Sequence, residues 1–273
     1  MSPAGPGPDR THWQGEPVSV WERLLGIPRL EVWSSLPSTN DRGRALVREG
    51  APPWTVVVAE AQSAGRGRAG SVWQSTAGAG LWISVVLRPR TPAHAGLLPL
   101  LTGVALARAL EAEDTAAPDS GLRVGLKWPN DVWLDGRKVA GILCESVREA
   151  VVAGVGVNVR EPAGGYAPEH ASKAGALEAL TSRAWSEARI LEGLLREWRA
   201  LWDAAPLRFE GRVADYWSAR DILRGRLLRV GAVEGVARGL TPQGALVLET
   251  PDGERTSVTA GHVEWRDDPE RRE

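Results

Sequence analysis

Residues 54–87, WTVVVAEAQSAGRGRAGSVWQSTAGAGLWISVVL, hang a glycine- and arginine-rich loop between two apolar runs. The β-branched run 54–60 is bounded by Pro53, and the run 81–87 is similarly apolar; both predict buried strands. A loop fixed at both ends by core strands is part of a folded domain and not a terminal nucleic-acid-binding tail. Gly65, Gly67 and Gly70 let backbone N–H groups converge on a ligand, while Arg66 and Arg68 add permanent charge and forked donors suited to phosphate or carboxylate. The stretch lacks the Gly-Lys-Ser/Thr ending of a P-loop and the spacing and following helix of the dinucleotide fingerprint. On these residues alone an anion cradle and a surface loop with incidental arginines both stand.

The rest of the chain narrows the setting. Its 273 residues allow one large domain and a small one, and 43% hydrophobic with 25% charged residues is the composition of a globular protein. A formal net charge of -1 leaves no global field to draw the protein to DNA or to an anionic membrane. Cys144 is the only cysteine, which excludes an internal disulfide and a cysteine-rich metal site. No run of about 18 apolar residues and no signal-peptide pattern is present, so a reducing cytoplasm and no membrane are expected. Of 33 basic residues only Lys127, Lys138 and Lys173 are lysines. Where arginine supplies generic charge, a lysine marks a position that calls for a compact ammonium.

Along the chain, residues 1–28 read as a flexible leader, Pro- and Gly-rich to residue 17. Ser38 and Asp41 have capping-box spacing for a short helix ending at Gly50. A helix is expected over 97–113, strands over 123–128, 138–146 and 151–159, and an amphipathic helix over 186–203 with Ile190, Leu191, Leu194, Leu195, Trp198 and Trp202 on one face. From about residue 222, RLLRV, GVARGL, ALVLET, RTSVT and HVEW are short strands between turn signals, which predicts a small β-barrel.

A second constellation is KWPNDVWLDGRKVAGILCE, residues 127–145. Asn130 and Asp131 follow a proline and occupy a turn, either facing a ligand or divalent cation or serving as plain hairpin residues. Lys138 opens the next strand and Gly141 permits close backbone approach. Cys144 reads as a small core residue, and the four histidines show no metal-ligand spacing.

GRGRAGSVW, KWPNDV with KVAGIL after it, the earlier STN and the later GVGVNV together resemble biotin protein ligases over roughly residues 30–266. The resemblance implies an α+β fold shared with class II aminoacyl-tRNA synthetases, a mixed β-sheet flanked by helices over 29–218, with an SH3-like barrel over 219–267. It implies activation of biotin with ATP and Mg²⁺ to biotinyl-5′-AMP, then transfer to a lysine of a biotin carboxyl carrier protein or domain. Ser38, Thr39, Asn40 and Gln62 match positions that bind the ureido ring, and Gly141 and Leu143 match backbone contacts to biotin. Arg66, Gly67 and Arg68 match the loop over the biotin carboxylate and nucleotide phosphate. Lys138 matches the lysine at the reacting groups, with Arg66 as its catalytic companion. Trp73, Asn130, Asp131 and Asn158 match nucleotide-side positions, Asp131 on the magnesium side. Ala69 and Ser71 stand where some members carry further arginines. Lipoate ligases share the fold, and some relatives carry a DNA-binding winged helix of about 60 residues. Fewer than forty residues precede STN here, so no DNA binding is expected; a homodimer stays open.

Overall fold

The computed structural model describes residues 7–89, 91–114, 122–203 and 209–265. The chain opens with a two-strand ribbon, β1 (His12–Trp13) and β2 (Glu16–Pro17), and helix α1 (Val18–Leu25). These lie where a flexible leader was expected. Trp13 and Leu25 are buried, and Trp13 meets Trp21 edge-on at 5.3 Å, so burial of aromatic surface outweighs the Pro and Gly content.

The central sheet has seven strands: β3 (Leu30–Trp33), β4 (Val56–Ala59), β5 (Gly80–Leu87), β6 (Val124–Lys127), β7 (Asp131–Leu134), β8 (Arg137–Val147) and β9 (Ala150–Asn158), ordered β3-β4-β5-β9-β8-β7-β6. Only β3 and β4 run parallel; the other neighbours are antiparallel, giving the expected mixed sheet. Helix α2 (Thr39–Arg48) packs on one face through Leu46 and Val47. The other face carries α3 (Pro92–Asp114), whose apolar stretch is core, together with α6 (Glu187–Asp203). A methyl on Gly193 would lie 3.0 Å from Ala109 Cβ, so two small residues let α3 and α6 cross closely. The face expected on α6 is the packed one, with Trp198 buried and Trp202 partly so.

Short helices α4 (Pro168–Ala171), α5 (Leu177–Thr181) and α7 (Arg212–Ser218) complete the first unit. The second is an antiparallel sheet of β10 (Leu227–Val230), β11 (Val233–Leu240), β12 (Leu246–Glu249), β13 (Arg255–Val258) and β14 (Val263–Trp265). It docks on the first: Trp128 Nε1 donates to Gly244 O at 3.0 Å.

Candidate active site

A cavity of about 810 Å³ opens where α2 begins over the sheet, within the usual range for a small-molecule site. Strands β8 and β9 present glycines at its floor, Gly141 opposite Gly156 and Leu143 opposite Gly154. A methyl on Gly154 would lie 2.4 Å from Asn40 Oδ1, and one on Gly156 would lie 2.4 Å from Trp73 Nε1. The missing side chains make room for Asn40 at one end and the Trp73 ring at the other.

The Asn40 end is a buried, already ordered polar set. Ser38, Thr39 and Asn40 are all buried at the start of α2. Gln62 Oε1 accepts from Thr39 N at 2.8 Å and its amide donates to Ser75 Oγ at 2.7 Å. Ser84 Oγ lies 2.8 Å from Thr39 Oγ1 and 2.6 Å from Asn40 Oδ1. Asn40 Nδ2 donates to Leu143 O at 3.1 Å and to Glu145 at 2.7 Å. The capping box expected of Ser38 and Asp41 does not form: Ser38 is the N-cap residue but makes no side-chain cap bond, and Asp41 turns outward to Arg66. A paired charge-assisted bond to a guanidinium outcompetes a backbone N–H.

The glycine loop is a tight hairpin over the cavity. Gly67 N donates to Ser71 O at 2.8 Å and Trp73 N to Gly65 O at 2.9 Å; Ala69, at φ 52°, and Gly70, at φ 77°, turn the tip. The two arginines diverge. Arg66 was expected at the reacting carboxylate, but its Nη1 and Nη2 meet Asp41 at 2.8 and 2.7 Å, with Glu145 at 3.8 Å. The hydrogen bond from Arg66 holds the Asp41 carboxyl below the usual range. Arg68 lines the cavity without an ion pair among the described residues, and burial lowers its pKa while Asp131 opposes the effect. Arg68 is therefore the loop cation available to an anion.

At the other end β6 and β7 form the hairpin that carries Asn130 and Asp131, and both residues line the cavity. Asn130 Nδ2 donates to Ile142 O at 2.7 Å. Lys138 Nζ lies 2.7 Å from Asp131 Oδ1 and 5.2 Å from the centre of the Trp73 ring. Asn158 Nδ2 donates to Gly175 O at 3.2 Å. Lys127 sits between Trp133 and Trp265, 5.8 and 5.6 Å from the ring centres. Burial lowers its pKa, and the ammoniums of Lys138 and Lys173 add to the fall while Asp131 opposes it.

Every site residue expected from sequence lines this one cavity. Lys127, Lys173 and the barrel residue Trp265 also line it and were not expected there, nor was Ser84 behind Thr39 and Asn40; only the lysines carried a sequence signal, their scarcity. Cys144 packs against the core, and burial pushes its thiol up to about 12, which leaves it no thiolate at neutral pH.

Residues 33–160 match the biotin/lipoate A/B protein ligase family, and residues 225–266 match the biotin protein ligase C-terminal domain. A biotin–[acetyl-CoA-carboxylase] ligase of Mycobacterium tuberculosis is 38% identical over 261 residues, covering 90% of this chain and 93% of that relative. The bifunctional ligase/repressor BirA of Bacillus spizizenii is 32% identical over 238 residues, 79% of this chain and 68% of the relative. Among solved structures, the biotin protein ligase of Aquifex aeolicus in complex with biotin and ATP superposes with a TM-score of 0.71 over 89% of this chain and 100% of that one. At 24% identity that superposition speaks for the fold.

Proposed function

Because the chain belongs to the biotin protein ligase family, we propose that its cavity activates biotin with ATP and passes the biotinyl group to a lysine of a biotin carboxyl carrier protein or domain. The observation that carries this reading is one continuous cavity with a preorganised neutral polar set at one end and cations at the other. The polar end, Thr39, Asn40 and Gln62, suits a uncharged cyclic urea, whose C=O and N–H groups need fixed donors and acceptors and no countercharge.

At the cationic end biotin's carboxylate and the α-phosphate of ATP, two anions, must meet. Lys138 and Arg68 face that meeting point and lower the repulsion. A carboxylate oxygen bonds to the α-phosphorus, the bond to the bridging oxygen breaks, and pyrophosphate leaves. In the second step an acceptor lysine, as the free amine, bonds to the biotinyl carbonyl carbon; AMP departs and the amine's proton goes to solvent. The hairpin of residues 65–73 covers the adenylate from water. Arg66, pinned to Asp41, fixes that hairpin to α2.

Mg²⁺ fits as an ion brought by the nucleotide. Among the described residues no cluster of three His, Cys, Asp or Glu could hold a metal, but Asp131 Oδ1 is buried beside Lys138 without an aligned hydrogen bond. A single carboxylate suits an ion whose other ligands are phosphate oxygens and water. When bound, Mg²⁺ neutralises phosphate charge. A cytoplasmic location and no specific DNA binding complete the proposal, in keeping with the net charge of -1.

Biotin-dependent exchange of pyrophosphate into ATP tests the reading. Exchange with biotin and none with lipoate is expected; exchange with lipoate alone would assign the site to the other branch of the family.

A further inference from the structure

The chain writes positive charge as lysine only three times among 33 basic residues, and all three lysines line the cavity. Lys138 is engaged by Asp131. Neither Lys127 nor Lys173 has an ion-pair partner among the described residues; the fold holds them in place by other means. Lys127 stands between an aromatic ring of the central sheet, Trp133, and one of the barrel, Trp265. Trp265 is itself covered by Arg226 at 4.8 Å.

The main chain of Lys173 is stitched to Lys138. Lys138 N donates to Lys173 O at 2.7 Å, and Gly175 N donates back to Lys138 O at 3.0 Å. A methyl on Gly175 would lie 2.6 Å from Arg137 Cβ, so the glycine is what lets this segment lie against the start of β8. The register places the third lysine beside the one at the reacting groups.

Charge along the wall is unbalanced. Arg66, Arg68 and the three lysines face the carboxylates of Asp131 and Glu169, five cations against two anions, and Arg66 is already satisfied by Asp41. Compact ammoniums that outnumber the carboxylates of a concave wall bind a polyanion that arrives from solution.

We propose that Lys173, with Lys127 behind it, receives the β- and γ-phosphates of ATP and stabilises them as they depart as pyrophosphate. This assignment rests on the reading of the cavity as a biotin-adenylating site and names a residue for its leaving group. As the bond between the α-phosphorus and the bridging oxygen breaks, its electron pair stays on pyrophosphate. The negative charge grows there, and Lys173 meets it. Transfer from biotinyl-5′-AMP to the acceptor involves no polyphosphate, so Lys173 has no part in that step.

The test uses Lys173→Met and Lys173→Arg in the full chain, with three readouts: biotin-dependent ATP–pyrophosphate exchange, biotin binding, and transfer from supplied biotinyl-5′-AMP to a carboxyl-carrier domain. The Met variant is expected to raise the pyrophosphate concentration for half-maximal exchange and to slow adenylation, each on the order of tenfold, as for one lost charged hydrogen bond. The Arg variant should restore most of that loss, and the other two readouts should stay at wild-type level. Unchanged exchange in the Met variant would overturn the assignment, as would equal losses in all three readouts, which would make Lys173 structural. Wild-type protein without biotin-dependent exchange would overturn the adenylation reading itself, so the two failures are distinct.

Discussion

Gly154→Ala tests the polar end of the cavity through one methyl group. The new Cβ would stand 2.4 Å from Asn40 Oδ1 and 3.0 Å from its Cγ, where ordinary contact begins at 3.4 Å. The amide must therefore retreat by about an ångström. Its bonds to Ser84 at 2.6 Å, Glu145 at 2.7 Å and Leu143 O at 3.1 Å cannot all survive that shift. Overpacking of this kind costs about 1–3 kcal/mol, which in a binding site is roughly 5- to 150-fold in biotin affinity. Calorimetric titration with biotin reads the effect. A thermal melt shows whether the fold persists, because a loss of this size moves Tm by only several degrees in a chain this long. Gly96→Ala is the control, since a Cβ there meets nothing within 4 Å. Undiminished biotin affinity in a folded Gly154→Ala protein would remove Asn40 from ligand recognition.

Lys138→Arg should lower single-turnover adenylate formation by about 10²-fold while biotin affinity falls less, because a wider guanidinium misplaces one of the two reacting anions; near-normal adenylation would reduce Lys138 to a generic charge. Trypsin should cut after Arg66 or Arg68 more slowly when biotin and ATP are present, and equal cutting with and without them would rule out a lid. Glu31 is buried; desolvation raises its pKa, but the hydrogen bond and charge of Arg42 outweigh that and keep the carboxyl ionised. Its folded pKa is depressed, so its contribution to stability is complete above the unfolded carboxyl pKa and disappears as pH falls through the folded one. Glu31→Gln should cost about 3 kcal/mol at neutral pH and less in acid, checked by urea melts at two pH values.

The motifs that build the cavity were legible because each joins unusual residue types in a short span: GRGR, KWPND, STN and the lone lysines. The amphipathic face of α6 was legible from its spacing. The segment of Trp13 and α1 was not, since its prolines and glycines masked aromatic residues whose burial depends on α6 and the sheet. The strand β3 is four residues with Glu31 in the middle, and its burial relies on Arg42, eleven residues on, together with Arg29 and the Trp33 indole. Trp265 reaches the cavity from another sheet, a contact no local pattern encodes. The pairing of Arg66 with Asp41 was not legible, because sequence spacing assigned Asp41 to a helix cap.

The central claim is tested most directly by incubating the purified protein with ATP, biotin and a biotin carboxyl-carrier domain and measuring the acceptor's intact mass. The account predicts one added biotinyl group on a single acceptor lysine, dependent on both ATP and biotin and absent when that lysine is replaced by arginine. An acceptor whose mass does not change, or one modified only when lipoate replaces biotin, would contradict it.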